Sequence, residues 1–371
     1  MNKTDDWDKD IESADIEDII IQRETERKKK IEKPPKPPKK NFMWIIAGVI
    51  IIGIVAAIAF SGIFTPSDTD KKTESPENIT SILLATGGVE GTYYPLGSAI
   101  AKVCNDANLG FKIEVKSSGG SIENARLIND NKVTLAIMQN DQAYYAVHGM
   151  VAFENHALKN IMAVASLYPE TIQIITNKNS GITSVADLKG KKIAIGARRS
   201  GTAENARQIL EVYNISMQDI TPIYSTFSES VDLLKSNQID AAFLTAGAPT
   251  PAVTKLAETT PIKIIPIEIA KAYELTKKYP YYDTEVIKTG TYSGVYEEVP
   301  TIAVMATLVT NEEASKDMIY ALTKTIFENQ DKIKTLHQKG AYLTKESALS
   351  GVSIKLHSGA VKYYKEIGIY P

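Results

Sequence analysis

Five times between Thr80 and Pro251, a short apolar run stops at a polar or glycine-rich turn and gives way to a helical pattern. Such alternation predicts α/β layers. The first instance is the fullest: in Ser81 to Gly97, Ile82, Leu83 and Leu84 read as a buried strand, and the chain breaks at Thr86, Gly87, Gly88 and Gly91. A helix then opens near Pro95, where a missing N–H costs nothing. The strand pattern 111–115 ends in Lys116, Ser117, Ser118, Gly119 and Gly120, before a helix with Ile122, Ala125 and Ile128 on one face. The run 133–138 breaks at Gln139, Asn140 and Asp141. The run 191–195 leads through Gly196, Arg198, Arg199, Ser200, Gly201 and Thr202 into a helix with Ala206, Ile209, Leu210 and Tyr213 at the spacing of one buried face. The run 239–244 is followed by Thr245, Ala246, Gly247, Ala248 and Pro249 and a further helix. The pattern predicts mostly parallel sheets. In open sheets of that kind ligands bind at the carboxyl ends of the strands, where all five turns fall.

Two extended, β-branched runs, 167–176 and 301–310, lack a following glycine turn. They are either strands that cross between two lobes, making the second lobe an insertion in the first, or ordinary sheet strands. Residues 312–338 carry Ile319, Leu322, Ile326, Ile333 and Leu336 among charges, which predicts one core-packing helix.

The N-terminal part is different in kind. Residues 1–41 are charged, acidic first (Asp5 to Asp18) and then basic (Arg23 to Lys40), with a Lys/Pro run that cannot be helical. A disordered tail is expected. Phe42 to Phe64 has no charged residue and is long enough to cross a bilayer as a helix. The basic residues just before it place the N-terminus in the cytoplasm and the rest of the chain outside. A cleaved signal peptide is the other reading, but its charged region would not exceed forty residues. Residues 65–79 have linker composition.

Catalytic constellations are scarce. The net charge of −2 gives no hint of nucleic-acid binding, and the single Cys104, in an apolar pattern, reads as a buried structural thiol. The four histidines, His148, His156, His337 and His357, have no metal-ligand spacing. There is no Gly-x-Ser-x-Gly elbow and no lysine after a glycine-rich loop. No enzyme chemistry, metal or cofactor is therefore expected. What the turns offer are hydroxyls, amides and backbone N–H groups, an inventory for holding a small polar molecule.

Several ordered motifs go further. They are Thr-Gly-Gly-x-x-Gly-Thr-Tyr-Tyr-Pro-Leu-Gly from Thr86, the serine- and glycine-rich stretch from Ser118 to Asn124, Gln139-Asn140-Asp141, and Ser-Val-Ala-Asp-Leu-Lys-Gly-Lys-Lys-Ile-Ala-Ile-Gly from Ser184. Ser200-Gly201-Thr202, the stretch from Gln238 to Pro251, and Leu-His-Ser-Gly-Ala from Leu356 follow. With these motifs the chain from about residue 80 onward closely resembles the TAXI family, the solute-binding proteins of tripartite ATP-independent periplasmic (TRAP) transporters. The resemblance implies a two-lobed, type II periplasmic-binding-protein fold, with lobe 1 at 80–170, lobe 2 at 171–299 and a return to lobe 1 at 300–371. It implies capture of a small organic anion, glutamate or a dicarboxylate such as 2-oxoglutarate, and delivery to a TRAP permease. The ligand contacts it implies are Gly88, Thr92 and Tyr93, then Ser117, Ser118, Asn124, Gln139 and Asp141. From the second lobe it implies Ser200, Gly201, Thr202, Thr245 and Ala246.

Two features depart from the family. Arg198 and Arg199 stand where many relatives have small residues or proline, and Arg199 in particular is a candidate to pair with a ligand carboxylate. The anchor at residues 42–64, in contact with the lipid bilayer, replaces the usual cleaved signal or lipid. An alternative function follows from the anchor: a sensor whose closure passes through the apolar helix to a cytoplasmic partner of the charged tail.

Overall fold

The computed structural model describes residues 80–370; the charged tail, the apolar run Phe42 to Phe64 and the linker expected from the sequence lie outside the described residues. Among the described residues no helix is long and apolar enough to cross a membrane.

The chain starts with β1 (Thr80–Ala85), α1 (Tyr93–Asp106), β2 (Phe111–Lys116), α2 (Ser121–Asn129), β3 (Leu135–Gln139) and α3 (Asn140–His148). The long β4 (Met162–Asn177) leads into β5 (Lys192–Ala194), α4 (Gly201–Val212), β6 (Thr221–Ile223), α5 (Phe227–Lys235), β7 (Ala241–Ala246) and α6 (Pro251–Ala257). Next come β8 (Ile262–Ile265), α7 (Ile269–Lys278), β9 (Asp283–Ile287) and the second long strand, β10 (Val299–Thr310). The chain ends with α8 (Lys316–Glu328), α9 (Gln330–Leu336) and α10 (Ser358–Glu366).

The strand order is β2-β1-β3-β10-β4-β7-β5-β6, with β8 beside β4 and β9 beside β10. Side chains on successive strand positions point to opposite faces, so each half of this sheet has two cores. On β1, Ile82 and Leu84 enter one core with Leu96 and Ile100 of α1, while Leu83 and Ala85 face another with Ile128 and Phe153. On β7, Ala241 and Phe243 join Ile209 and Leu210 of α4, while Ala242 and Leu244 join Val253 and Leu256 of α6. The two halves meet along β4 and β10. Leu167 and Tyr168 belong to the first half's core and Ile172 and Ile174 to the second's; on β10, Ile302 and Val304 belong to the second and Ala306 and Leu308 to the first. Register shifts in their pairing fall at Ala306/Thr307 and Leu308/Val309. This is the two-lobed α/β periplasmic-binding-protein fold that the resemblance implies.

Two expectations need correction. The sheet is mixed rather than mostly parallel: β1 pairs in parallel with β2 and β3, and β5 with β6 and β7, but β10 runs antiparallel to β3, β4 and β9, and β4 antiparallel to β7 and β8. The reason is that the long strands carry the chain out and back between the halves, so each opposes its neighbours. The expected single helix over 312–338 is two, α8 and α9, parted at Asn329, whose backbone leaves the helical region (φ −116°). Its side-chain amide donates to the Thr325 carbonyl at 2.9 Å, the local competition that disfavours asparagine inside helices. Cys104 is buried among Leu96 and Ile100 as expected, and burial pushes its thiol up to about 12.

Candidate functional site: the floor between the lobes

The turns after β1, β2, β3, β5 and β7 meet across the line between the two halves. The backbone N–H groups of Ile122 and Glu123, at the start of α2, donate to the Arg199 carbonyl at 3.1 and 3.4 Å. The Gly247 N–H donates to Thr92 Oγ1 at 3.0 Å. Asn205 Nδ2 donates to Asp141 Oδ2 at 3.2 Å, and Gln208 Nε2 donates to Tyr145 Oη at 3.1 Å. Lys255 pairs with Glu90 at 3.3 Å on the rim.

These contacts leave little room beside two glycines. A Cβ on Gly201 would lie 1.7 Å from Gln139 Oε1, and one on Gly247 would lie 2.6 Å from Lys339 Cε and 3.1 Å from Thr92 Cγ2. Separations under 3 Å are steric overlap, so a side chain at Gly201 would have to displace the Gln139 side-chain amide from the other half. The lobes are therefore closed upon one another.

Beneath the contacts lies a polar floor. Glu170, on β4 between Tyr168 and Ile172 where the strand passes from one core to the other, is 1% exposed. Tyr93 Oη donates to Glu170 Oε1 at 2.6 Å and lies 3.4 Å from Ser121 Oγ, which accepts from the Gln139 N–H at 3.1 Å. Gln139 Oε1, Gln142 Oε1 and Tyr168 Oη are buried with no hydrogen-bond partner among the described residues; the Thr92 hydroxyl stands beside Tyr168. Buried polar atoms are nearly always satisfied, so this concentration marks where a bound molecule's polar groups would go.

Charge reinforces the picture. Desolvation drives the Glu170 carboxyl well above the usual carboxylate range, and the nearby Asp141 pushes the same way while the Tyr93 hydroxyl resists. Asp141, also desolvated, is pushed up to about 7 despite hydrogen bonds from Gln142 and Asn205. Lys339 is the one buried lysine or arginine among the described residues, and burial lowers its ammonium.

The residues expected to touch ligand divide by position. Thr92, Tyr93, Gln139, Asp141, Gly201 and Thr245 stand at the junction. Ser200 stands at the N-cap position of α4 at the contact with Gly120, its hydroxyl donating to the Ala197 carbonyl at 2.7 Å, and Thr202, the helix's second residue, is buried against Gly196. The Ala246 carbonyl accepts from Gln173 Nε2 at 3.2 Å. Asn124 donates to the carbonyls of Thr86 and Ile137 at 2.6 and 2.7 Å, tying the ends of β1 and β3 together. Ser118 donates to the Thr86 carbonyl at 3.0 Å. Ser117 and Gly88 are exposed, and Gly88 turns the loop by accepting from the Gly91 N–H. Arg199 meets the other half through its carbonyl, from a left-handed backbone (φ 66°), while the exposed Arg198 guanidinium lies 4.4 Å over the Tyr224 ring.

Sequence reasoning missed Glu170, Tyr168, Ser121 and Lys339. For Glu170 a signal existed: it is the one charged residue in the sixteen of β4. A lone carboxylate in an apolar strand must be either neutral or partnered. An open groove of about 950 Å³ lies elsewhere, lined by Leu349, Val352, Lys355 and Lys362, and holds none of the five turns. Among the described residues no group of three His, Cys, Asp or Glu side chains is placed to hold a metal ion.

Among solved structures, the chain is similar to the alkanesulfonate-binding protein SsuA of Xanthomonas axonopodis pv. citri bound to MOPS, with 14% identity over 79% of this chain and 80% of that one and a TM-score of 0.47. It is also similar to PhnD1 of Prochlorococcus marinus in complex with methylphosphonate, with 12% identity over 78% and 96% and a TM-score of 0.47. A binding protein component of a phosphonate ABC transporter from Pseudomonas aeruginosa matches with 14% identity over 71% and 79% and a TM-score of 0.46. Residues 84–368, more than half of the 371, match the NMT1-like family. The chain belongs to the NMT1-like family.

Proposed function

We propose that this chain is an extracytoplasmic solute-binding protein of TAXI type, which captures a small organic acid between its lobes and passes it to a TRAP permease. The observation that carries the reading is the closed junction itself: five strand-end turns converge on a floor where Gln139 Oε1, Gln142 Oε1 and Tyr168 Oη lack partners. A site built for turnover would pair a general acid with a base on exposed, reacting geometry. Here the groups that converge are hydroxyls, amides and backbone N–H groups, an inventory suited to holding a polar molecule. Closure around solute is the switch, because a ligand shifts the open–closed balance only through contacts it makes in one state. The motifs from Thr86 to Pro251 support the TRAP assignment, and the uncharged run Phe42 to Phe64 supports retention at the membrane.

A thermal-shift screen of the purified full-length protein against amino acids, dicarboxylates, oxo acids and sugar acids tests the proposal. Ligand at one hundred times its Kd stabilises the folded state by about 2.7 kcal/mol. A concentration-dependent rise in Tm with one class is the expected result, and a flat response to every class in ligand-free protein would overturn capture.

A further inference from the structure

The groove of about 950 Å³ that holds none of the five turns carries charge of one sign. Lys316, Lys355, Lys362 and Lys365 line it, all exposed, against a single carboxylate, Glu312. Lys362 is matched by Asp317 at 3.2 Å and lies 4.3 Å over the Tyr320 ring. Lys316, Lys355 and Lys365 make no ion pair among the described residues. Between the lysines the lining is apolar, with Leu349, Val352 and Leu356, and the part-exposed Tyr370 completes it. The sheet fixes where this face lies. Met162, which lines the groove, opens β4 opposite Thr310 at the end of β10, and Thr310 pairs with Leu135 at the start of β3. Leu135 is level with Leu84 of β1, so the stretch from Thr80 to Leu83, where the chain enters, projects beyond that level toward the same end. The turns after β1 and β3 lie at the opposite end. Along β4 from Met162 to Glu170, the groove stands about 26 Å from the polar floor at strand rise.

We infer that this lysine-lined groove docks on anionic phospholipid headgroups of the membrane that holds the chain. This rests on the retention at the membrane proposed above and adds a second contact with the same bilayer. Two features of the chain select the bilayer surface as the occupant. The first is position: residues 65–79, at no more than about 3.5 Å each, reach at most about 50 Å from the end of the uncharged run, so the entry end of the sheet stays near the lipid. The second is charge. The free lysines come from α8, from the loop before α10 and from α10 itself, a spread that suits a sheet of phosphates. Their apolar stems lie along the apolar lining while the ammonium groups stay in water, and tyrosine is a side chain favoured at headgroup depth. Each free lysine near an anionic surface strengthens the contact about fivefold, so the three together give about a hundredfold. An attraction of that size adds to a membrane anchor rather than replacing it. A domain docked this way holds its junction clear of the bilayer, open to solute from the surrounding medium.

The test reconstitutes the full-length protein into vesicles of phosphatidylcholine alone, or of equal parts phosphatidylcholine and phosphatidylglycerol. A membrane-impermeant acetylating reagent is then added, and the rate at each lysine is read by mass spectrometry. Lys316, Lys355 and Lys365 should label at least about fivefold more slowly in the anionic vesicles, while Lys178 and Lys235, exposed on the second half, stay within about twofold. The difference should vanish at about 0.5 M salt, where the Debye length is only about 4 Å. In the variant combining Lys316→Gln, Lys355→Gln and Lys365→Gln, Lys362 should lose the slowing that the anionic lipid gives it in the wild type. All three positions are exposed, and the wild-type comparison stands even if that variant fails to fold. Equal labelling in the two lipids, the result expected if the groove serves a protein instead, would overturn docking while retention stands. Slowing spread evenly to Lys178 and Lys235, or kept in full at Lys362 in the variant, would overturn the groove as the docking face. Protein that fails to float with the neutral vesicles would overturn retention at the membrane, and the inference with it.

Discussion

At the scale of single residues the junction makes sharp demands. A Cβ at Gly201 would lie 1.7 Å from Gln139 Oε1 and must displace that amide, yet the backbone there is ordinary helix, so Gly201→Ala should fold. It should bind solute at least about tenfold more weakly, about 1.4 kcal/mol, a loss that calorimetry would read directly; unchanged affinity would mean closure is not required. Asp141 gives a pH dependence. Its carboxyl, ordinarily near 3.8, is pushed up to about 7, so the folded protein holds a proton that the unfolded chain releases between those values. Stability therefore falls as pH rises from about 4 to 7 and levels above, at about 1.4 kcal/mol per pH unit and at most about 4 kcal/mol in all. Glu170 adds in the same direction. Thermal melts across this range should show the slope, and Asp141→Asn should flatten it; a slope of opposite sign would contradict the burial. Motifs singled out Thr92, Tyr93 and Gln139, which the fold brings to the junction. No motif points to Glu170 or Lys339, which reach the junction from a long strand and from a turn far along the chain and become neighbours of the loops only through the fold.

At the scale of elements, local chemistry explains most boundaries. The helix Phe227–Lys235 starts at a capping box: Thr226 Oγ1 accepts from the Glu229 N–H at 3.2 Å, and Glu229 accepts from the Thr226 N–H at 2.8 Å. Thr226→Ala should cost about 1 kcal/mol, measurable as a lower urea midpoint at unchanged slope. In the first core Leu96 is fully buried between α1 and β1, so Leu96→Ala should cost about 2–5 kcal/mol; a cost below 1 kcal/mol by the same denaturation would mean that core is loosely packed. The strand–turn–helix units were legible because each carries its period and its breaker together. The mixed sheet was not, since β4 and β10 are buried on both faces and their sequence is equally that of a parallel or an antiparallel strand. The break at Asn329 was hidden for a similar reason: the apolar spacing of Ile326 and Ile333 continues across it.

At the scale of the whole molecule, function lies in the relation between two halves that have separate cores and share two long strands. Those strands carry both the register shifts and Glu170, so the floor of the site is also the place where the halves are joined. On the proposed function, closing of the halves and occupation of the floor are thereby coupled, because a solute held between them makes contacts with both only when they are closed. Backbone hydrogen exchange of the full-length protein, with and without the solute that stabilises it most in the thermal-shift screen, tests this most directly. The account predicts new protection at the N–H groups of Gly201, Thr202, Gly247 and Ile122 and along residues 168–172, with little change in the groove lined by Leu349 and Lys362. Protection confined to that groove, or spread evenly over both lobes with none at the five turns, would contradict it.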